Sequence, residues 1–284
     1  MSNNYCVFIL SYKRPKNIPT LDSLKKAGFK GKYYIVVDDT DRELETYKKI
    51  HGESLLIFNK KEMLKTTDVG DNFENMNLVV FARNACFNLA KELNYDYFIQ
   101  LDDDYIRFSY AGNHEEDYIT KHMKIKDINK IFDLMIDFVR DTPTLTLAMA
   151  QGGDFIGGPS SSVWKNRLAR KAMNTFVCST KKPFSFFGGI NEDVNTYVEL
   201  GRQGKLFFTL ALLRMEQLRT QSNEGGLTEI YLEQGTYVKS FYSIMYAPSC
   251  VEIRSMGVVT RRLHHFVNWD ATAPKILHEK HKKA

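Results

Sequence analysis

Residues 95–104 read Tyr-Asp-Tyr-Phe-Ile-Gln-Leu-Asp-Asp-Asp (YDYFIQLDDD). The apolar run Tyr95 to Leu101 has the length and aromatic content of a buried strand, and it runs directly into three acids. Adjacent carboxylates at Asp102, Asp103 and Asp104 repel one another unless a cation sits between them. Hard divalent ions such as Mg²⁺ and Mn²⁺ prefer oxygen ligands. In open α/β sheets the ligand crevice lies at the C-terminal ends of the strands. A metal held there would neutralise a diphosphate leaving group. Taken alone, the triplet fits a solvated acidic turn equally well; the buried strand ahead of it favours a site.

Outward from this strand, apolar runs alternate with amphipathic stretches, the pattern of an α/β sheet. On the N-terminal side, strands are expected at Tyr5 to Ser11, Tyr33 to Asp38 and Leu55 to Phe58. Helices are expected at Asn17 to Phe29, Leu44 to Ile50 and Leu78 to Leu93. Lys60 to Asn77 lacks periodicity and is read as a loop. On the C-terminal side, Asp127 to Arg140 is a clear amphipathic helix, and a strand follows near Leu145 to Ala150. Gly152 to Ser162 reads as loop, Asn174 to Ser179 and Leu206 to Leu210 as strands, and Glu192 to Leu200 as a helix, with another helix possible at Leu227 to Gln234. No composition break divides the chain, so one domain is expected over residues 1–284.

Four further groups of residues bear on chemistry. Asp38 and Asp39 end the second strand and should face the same crevice as the triplet; carboxylates there can accept hydrogen bonds from ribose hydroxyls or a base N–H. Taken alone, they better suit an Asx-turn and a helix cap. Arg83, in an apolar helix beside Asn84, needs a partner: a phosphate, a crevice carboxylate or a structural salt bridge. Glu192 and Asp193 follow the glycines of FFGGI, which let backbone approach a ligand closely. A carboxylate there can act as a general base on an acceptor hydroxyl, or simply favour a helix N-terminus. His264 and His265 can complete a Mn²⁺ shell beside carboxylates, though a histidine pair in a basic tail is more often packed or exposed.

Composition sets the outer bounds. The 284 residues are 43% hydrophobic and 26% charged, with a net charge of +5. That is an ordinary globular balance, compatible with an anionic partner without requiring one. The four cysteines have no metal-like spacing, and Cys6 and Cys86 lie in apolar runs as buried thiols. There is no leader-like start and no apolar run long enough to span a bilayer. A cytoplasmic protein with no membrane association is expected, and nothing implies an obligate protein partner. A GxGxxG dinucleotide fingerprint, a P-loop, a GxSxG elbow and an HExxH motif are all absent.

The order of these pieces resembles the GT-A glycosyltransferases: a first strand into Ser11-Tyr12-Lys13-Arg14-Pro15, a second ending in Asp38-Asp39, the helix with Ala82-Arg83-Asn84, a strand-borne DxD, then Glu192-Asp193. The chain looks closer still to the TET-associated glycosyltransferases of phages and prophages. The segments that carry this are FILSYKRP, YYIVVDDTD, ARNACFNLAKEL, YFIQLDDDY, AQGGDFIGG, INEDVNTYV, the stretch from Thr220 to Ser249, and RLHH.

The resemblance implies a GT-A-type, Rossmann-like mixed sheet flanked by helices. Residues 1–110 would be its nucleotide-sugar half, and 111–284 its acceptor half with a metal-proximal tail. It implies a UDP-sugar donor with Mn²⁺ or Mg²⁺, and Ser11, Arg14, Asp38, Asp39, Arg83, Asp102 and Asp103 on the donor. The role of Asp103 is the least defined, because the middle acid varies in GT-A motifs. It further implies Asp102, Asp104 and His264 or His265 at the metal, and Asp193 with Glu192 beside it as the catalytic acids. The implied acceptor is 5-hydroxymethylcytosine in phage DNA, modified in the cytoplasm of the infected host as protection from restriction. For such an acceptor, Trp164, Lys165, Arg167 and Arg170, with Lys171, combine an aromatic with cations suited to stacking and phosphate contact. They also fit an ordinary basic surface helix. A protein or glycan acceptor, or a non-catalytic nucleic-acid-binding module, are the alternatives.

Overall fold

Alternation along the central strands explains how the protein is layered. In β1 (Tyr5–Leu10) the side chains of Cys6, Phe8 and Leu10 enter one core, while Val7 and Ile9 enter another. β2 (Tyr33–Asp38) and β4 (Tyr97–Asp102) behave alike, with Val36 and Phe98 on the first side and Ile35, Val37, Ile99 and Leu101 on the second. Strands covered on both faces need near-continuous apolar sequence, and these runs have it. The computed structural model describes residues 3–71, 77–110, 123–151, 175–218, 238–256 and 262–272.

Among the described residues nine strands form one mixed sheet in the order β3-β2-β1-β4-β8-β7-β9-β5-β6. β3 (Leu55–Phe58), β2, β1 and β4 are parallel. β8 (Phe176–Ser179) joins β4 antiparallel, so the N- and C-terminal halves of the sequence share one sheet. Beyond it lie β7 (Thr144–Gln151), β9 (Leu206–Gln217), β5 (Tyr105–Tyr110) and the short β6 (Met123–Lys124). β10 (Val251–Met256) and β11 (Arg262–Val267) form a separate antiparallel ribbon.

Among the described residues the helices are α1 (Pro19–Lys26), α2 (Leu44–His51), α3 (Lys60–Thr66), α4 (Val79–Glu92), α5 (Ile128–Asp141), α6 (Glu192–Arg202) and α7 (Val238–Tyr246). α5 shows the sequence logic most clearly. Asp127 accepts the Lys130 N–H as its cap, and Ile128, Ile131, Phe132, Met135, Ile136 and Val139 are buried. Each such side chain stabilises the fold by about 1.5–3 kcal/mol through burial. Among the described residues no helix is long and apolar enough to cross a membrane. All four cysteines are buried free thiols.

The expected α/β class and mixed sheet hold, and several details are corrected. The loop expected over Lys60 to Asn77 begins as a helix: the Asn59 side chain caps α3 by accepting the Glu62 N–H at 2.9 Å. The Asn-x-x-Glu spacing was the available signal. β9 runs seven residues past its expected end, β5 forms where none was expected, and α7 and the β10–β11 ribbon were not foreseen. In these elements several apolar residues, such as Leu212, Phe241 and Phe266, are exposed while Thr209, Ser240 and Ser243 are buried, which blurs the periodicity. The loop expected at Gly152 to Ser162 and the helix at Leu227 to Gln234 lie outside the described residues.

Gly28 locks the end of α1 to the start of α5. Its φ is +77°, and a Cβ there would lie 2.2 Å from the Lys126 carbonyl oxygen. Backbone cannot yield as a flexible side-chain tip can. Gly28→Ala is therefore expected to cost about 2 kcal/mol or more, seen as a lower urea midpoint with unchanged m-value.

Candidate functional site: a carboxylate crevice bracketed by arginine

The C-terminal ends of the parallel strands bring together most of the residues singled out from the sequence. Leu10 pairs in register with Asp102 across β1 and β4, so the turn after β1 adjoins the acid triplet. Thr20 at the start of α1 fixes that junction: its hydroxyl donates to the Asp102 carbonyl at 2.6 Å and accepts the Tyr105 N–H at 2.9 Å.

The three acids have different surroundings. Asp103 is buried, accepting from Arg14 Nη1 at 2.9 Å and from Ser11 Oγ at 2.7 Å. Ser11 also lies 2.8 Å from the Tyr47 hydroxyl, which accepts the Arg14 N–H at 2.9 Å. Ser11, Arg14, Tyr47 and Asp103 thus form an internal brace beneath the crevice. Asp102 and Asp104 are partly exposed. Burial, against the attraction of Arg83, pushes the Asp102 carboxyl up to about 6. Burial, reinforced by repulsion from Asp102 and Asp103, pushes Asp104 up to about 7.

Two carboxylates whose ionised forms are disfavoured by burial suit a divalent cation, which would stabilise those ionised forms. Mg²⁺ in particular is commonly held by one or two carboxylates while phosphate and water oxygens complete its shell. Among the described residues no three histidine, cysteine or acidic side chains form a ready-made cage.

Arg83 closes one side of the crevice. It is 2% exposed, donates through Nε to Glu192 Oε1 at 2.7 Å and through Nη2 to Asp102 Oδ1 at 3.1 Å. Its guanidinium carbon lies 5.0 Å from the Phe176 ring centre and 5.8 Å from that of Phe186. Burial alone would lower its pKa, but Asp102 and Glu192 hold it above the ordinary arginine value. Asn84, next on α4, grips the Phe186 backbone by donating to its carbonyl at 2.9 Å and accepting its N–H at 2.8 Å. That clamp fixes the chain leading into α6.

At the head of α6, Asn191 adopts a left-handed φ of 56°. Its amide donates to the Lys239 carbonyl and to Ser243 Oγ, each at 3.0 Å, and lies 3.2 Å from His265 Nδ1. His265 is thereby brought to the residue preceding Glu192, and the His264 ring centre lies 4.2 Å from that of His265. Glu192 and Asp193 are both buried. Burial, with repulsion from Glu192, pushes Asp193 up to about 7. The glycines of FFGGI serve packing: a Cβ on Gly188, whose φ is +89°, would lie 2.2 Å from the Asn195 amide nitrogen.

On the β2 side, Asp38 is buried and bound to Lys60 Nζ at 2.9 Å, while also accepting from the Thr40 hydroxyl at 2.6 Å. Asp39 is exposed and accepts the Lys60 N–H at 3.0 Å. Sequence reading missed Lys60, Tyr47 and Thr20. The capping pattern around Asn59 pointed to a helix start at Lys60; nothing local marked the other two. Trp164, Lys165, Arg167, Arg170 and Lys171 lie outside the described residues.

Comparison with known proteins gives a family. The TET-Associated Glycosyltransferase family matches residues 5–226. No curated protein matches the chain. Among solved structures, glucosyl-3-phosphoglycerate synthase from Mycobacterium tuberculosis with Mn²⁺, UDP and phosphoglyceric acid is similar at TM-score 0.44 and 11% identity, over 93% of this chain and 87% of that one. The same enzyme with Mg²⁺ and UDP is similar at TM-score 0.44 and 12% identity, over 93% and 88%.

The raised carboxyls have a stability consequence. Between the unfolded value of 3.8 and about 7, the folded protein keeps protons that the unfolded chain has released. Their contribution to stability therefore falls as pH rises through that window. Asp104→Asn removes one such group. It should raise the melting temperature at pH 8 by about 2–4 °C and leave it unchanged at pH 4, measured by calorimetry without divalent metal.

Proposed function

The chain belongs to the TET-associated glycosyltransferase family, and from that premise we propose that it moves a sugar from a UDP-sugar to the hydroxyl of 5-hydroxymethylcytosine in DNA, with Mn²⁺ or Mg²⁺ as cofactor. The observation that carries the donor side of this reading is the pair Asp102 and Asp104, whose carboxyls are both pushed up by burial at the strand ends. The DNA acceptor and a role in protecting phage DNA rest on the family's name and on the sequence resemblance.

In this reading Asp102 and Asp104 hold the cation and Asp39 meets the nucleoside. A bound divalent ion supplies the positive charge that stabilises the departing diphosphate. Arg83 orients Asp102 from behind. His264 or His265 adds a ligand from the ribbon. Asp193 stands at the acceptor side with its carboxyl pushed up to about 7 by burial, so about half of it is ionised at neutral pH, and that carboxylate is basic enough to take a hydroxyl proton. If the reaction inverts the anomeric centre, Asp193 is that base; if it retains configuration, Asp193 orients the acceptor. Trp164, Lys165, Arg167 and Arg170 would meet the DNA by stacking and phosphate contact.

The test is incubation with Mn²⁺, a panel of UDP-sugars and DNA containing 5-hydroxymethylcytosine, followed by digestion and nucleoside mass measurement. A hexose or pentose added to the modified nucleoside is expected, and Asp193→Asn should slow its formation about 10²–10⁴-fold. UDP release without a nucleoside adduct would remove the DNA acceptor. Neither product, with a control transferase active in the same mixture, would contradict the whole reading.

A further inference from the structure

Glu192 and Asp193 are neighbours in sequence and both buried, yet their side chains are committed differently. Asp193 accepts the Val194 N–H at 2.8 Å and makes no ion pair with Arg83. Glu192 accepts Arg83 Nε at 2.7 Å, in a contact where the two side chains are 7% and 2% exposed. The other edge of that guanidinium reaches Asp102 Oδ1 at 3.1 Å, and the Asp102 side chain remains 25% exposed toward the crevice. One arginine therefore spans from the head of the acceptor-side helix α6 to the end of the donor-side strand β4.

A guanidinium beside a metal-binding carboxylate has two opposed effects. Its planar fork fixes the carboxylate's orientation, and its positive charge repels any cation that the carboxylate is to hold. A buried acid on its far edge cancels the second effect and keeps the first.

We propose that Glu192 is a positioning residue: it neutralises Arg83 and so allows Arg83 to orient Asp102 without driving a divalent cation from the site. This deepens the proposed function and rests on its metal-dependent donor reading. It makes Glu192 the member of the acidic pair that acts through another residue, on the donor side, while touching no substrate atom. Partners one step behind a metal ligand commonly change metal affinity 10–100-fold when replaced.

The experiment is calorimetric titration of Mn²⁺ in the presence of UDP, and of UDP alone, into wild type and Glu192→Gln. The glutamine oxygen still accepts from Arg83 Nε but leaves its charge uncancelled. A fall in Mn²⁺ affinity of roughly tenfold or more, with affinity for UDP alone unchanged, supports the proposal. Unchanged Mn²⁺ affinity together with a loss of turnover above about 10³-fold overturns it, because that is the pattern of a general base. Unchanged affinity and unchanged turnover in a less stable protein also overturns it, since the pair would then be structural alone.

A second readout uses no ligand. Removing one member of a buried ion pair strands the other, whereas replacing both with apolar residues often does not. Arg83→Met/Glu192→Met is expected to melt above both single variants. Additive losses in melting temperature would overturn the bracket itself. If wild type binds no Mn²⁺ with UDP, the donor reading fails and the compensation role fails with it. This thermal cycle then decides only whether Arg83 and Glu192 act as a pair.

Discussion

The structure depends on a buried arginine. Arg83 has almost no contact with solvent, and a full charge in that position is tolerated only with hydrogen-bonded counter-charges. Asp102 and Glu192 provide them. Because those acids sit on β4 and α6, the need to satisfy one guanidinium fixes two distant elements against α4. The phenylalanines that pack on it, Phe176 and Phe186, belong to β8 and to the segment before α6. Electrostatic and apolar packing thus converge on the same few residues.

A second network stands on the opposite side of the triplet. Arg14, Ser11 and Tyr47 enclose Asp103 and leave the flanking acids toward the crevice. Three consecutive carboxylates are tolerable because the middle one is neutralised internally. The outer two have their charge only partly compensated, Asp102 by Arg83, and their carboxyls are held up into the range where a cation competes with a proton. The same division of labour recurs at β2: Asp38 is committed to Lys60 and Thr40, while Asp39 remains exposed.

Much of this was legible in the sequence, for identifiable reasons. β2 and β3 have the bounds read from YYIVVD and LLIF, because each is a short apolar run bounded by polar and turn residues. That Asp38, Asp39 and the triplet share one edge was legible because the strands that carry them are parallel. What was not legible is how the acids share out their partners. Nothing in DDD says that Asp103 turns to Arg14 while Asp102 turns to Arg83, since those pairings span 89 and 19 positions in sequence. For Arg83 the sequence left a phosphate, a crevice carboxylate or a salt bridge open as partner; in the structure its guanidinium is held by Glu192 and Asp102. Lys60 was hidden for a similar reason: a lysine in a polar stretch reads as solvated until a buried aspartate is found opposite it. Asn191 gave no periodic signal at all, because its role depends on a left-handed backbone and on partners from α7 and β11.

In the proposed function Asp102 and Asp104 take a divalent cation together with a nucleoside diphosphate. Two ligands that share one site must strengthen each other reciprocally. The most direct measurement is therefore the affinity for UDP with and without Mn²⁺, and for Mn²⁺ with and without UDP, in wild type and in Asp102→Asn and Asp104→Asn. Each ligand is expected to tighten the other by the same factor in wild type, and this coupling to disappear in both variants. UDP binding that ignores Mn²⁺, or coupling that survives both substitutions, would contradict that function.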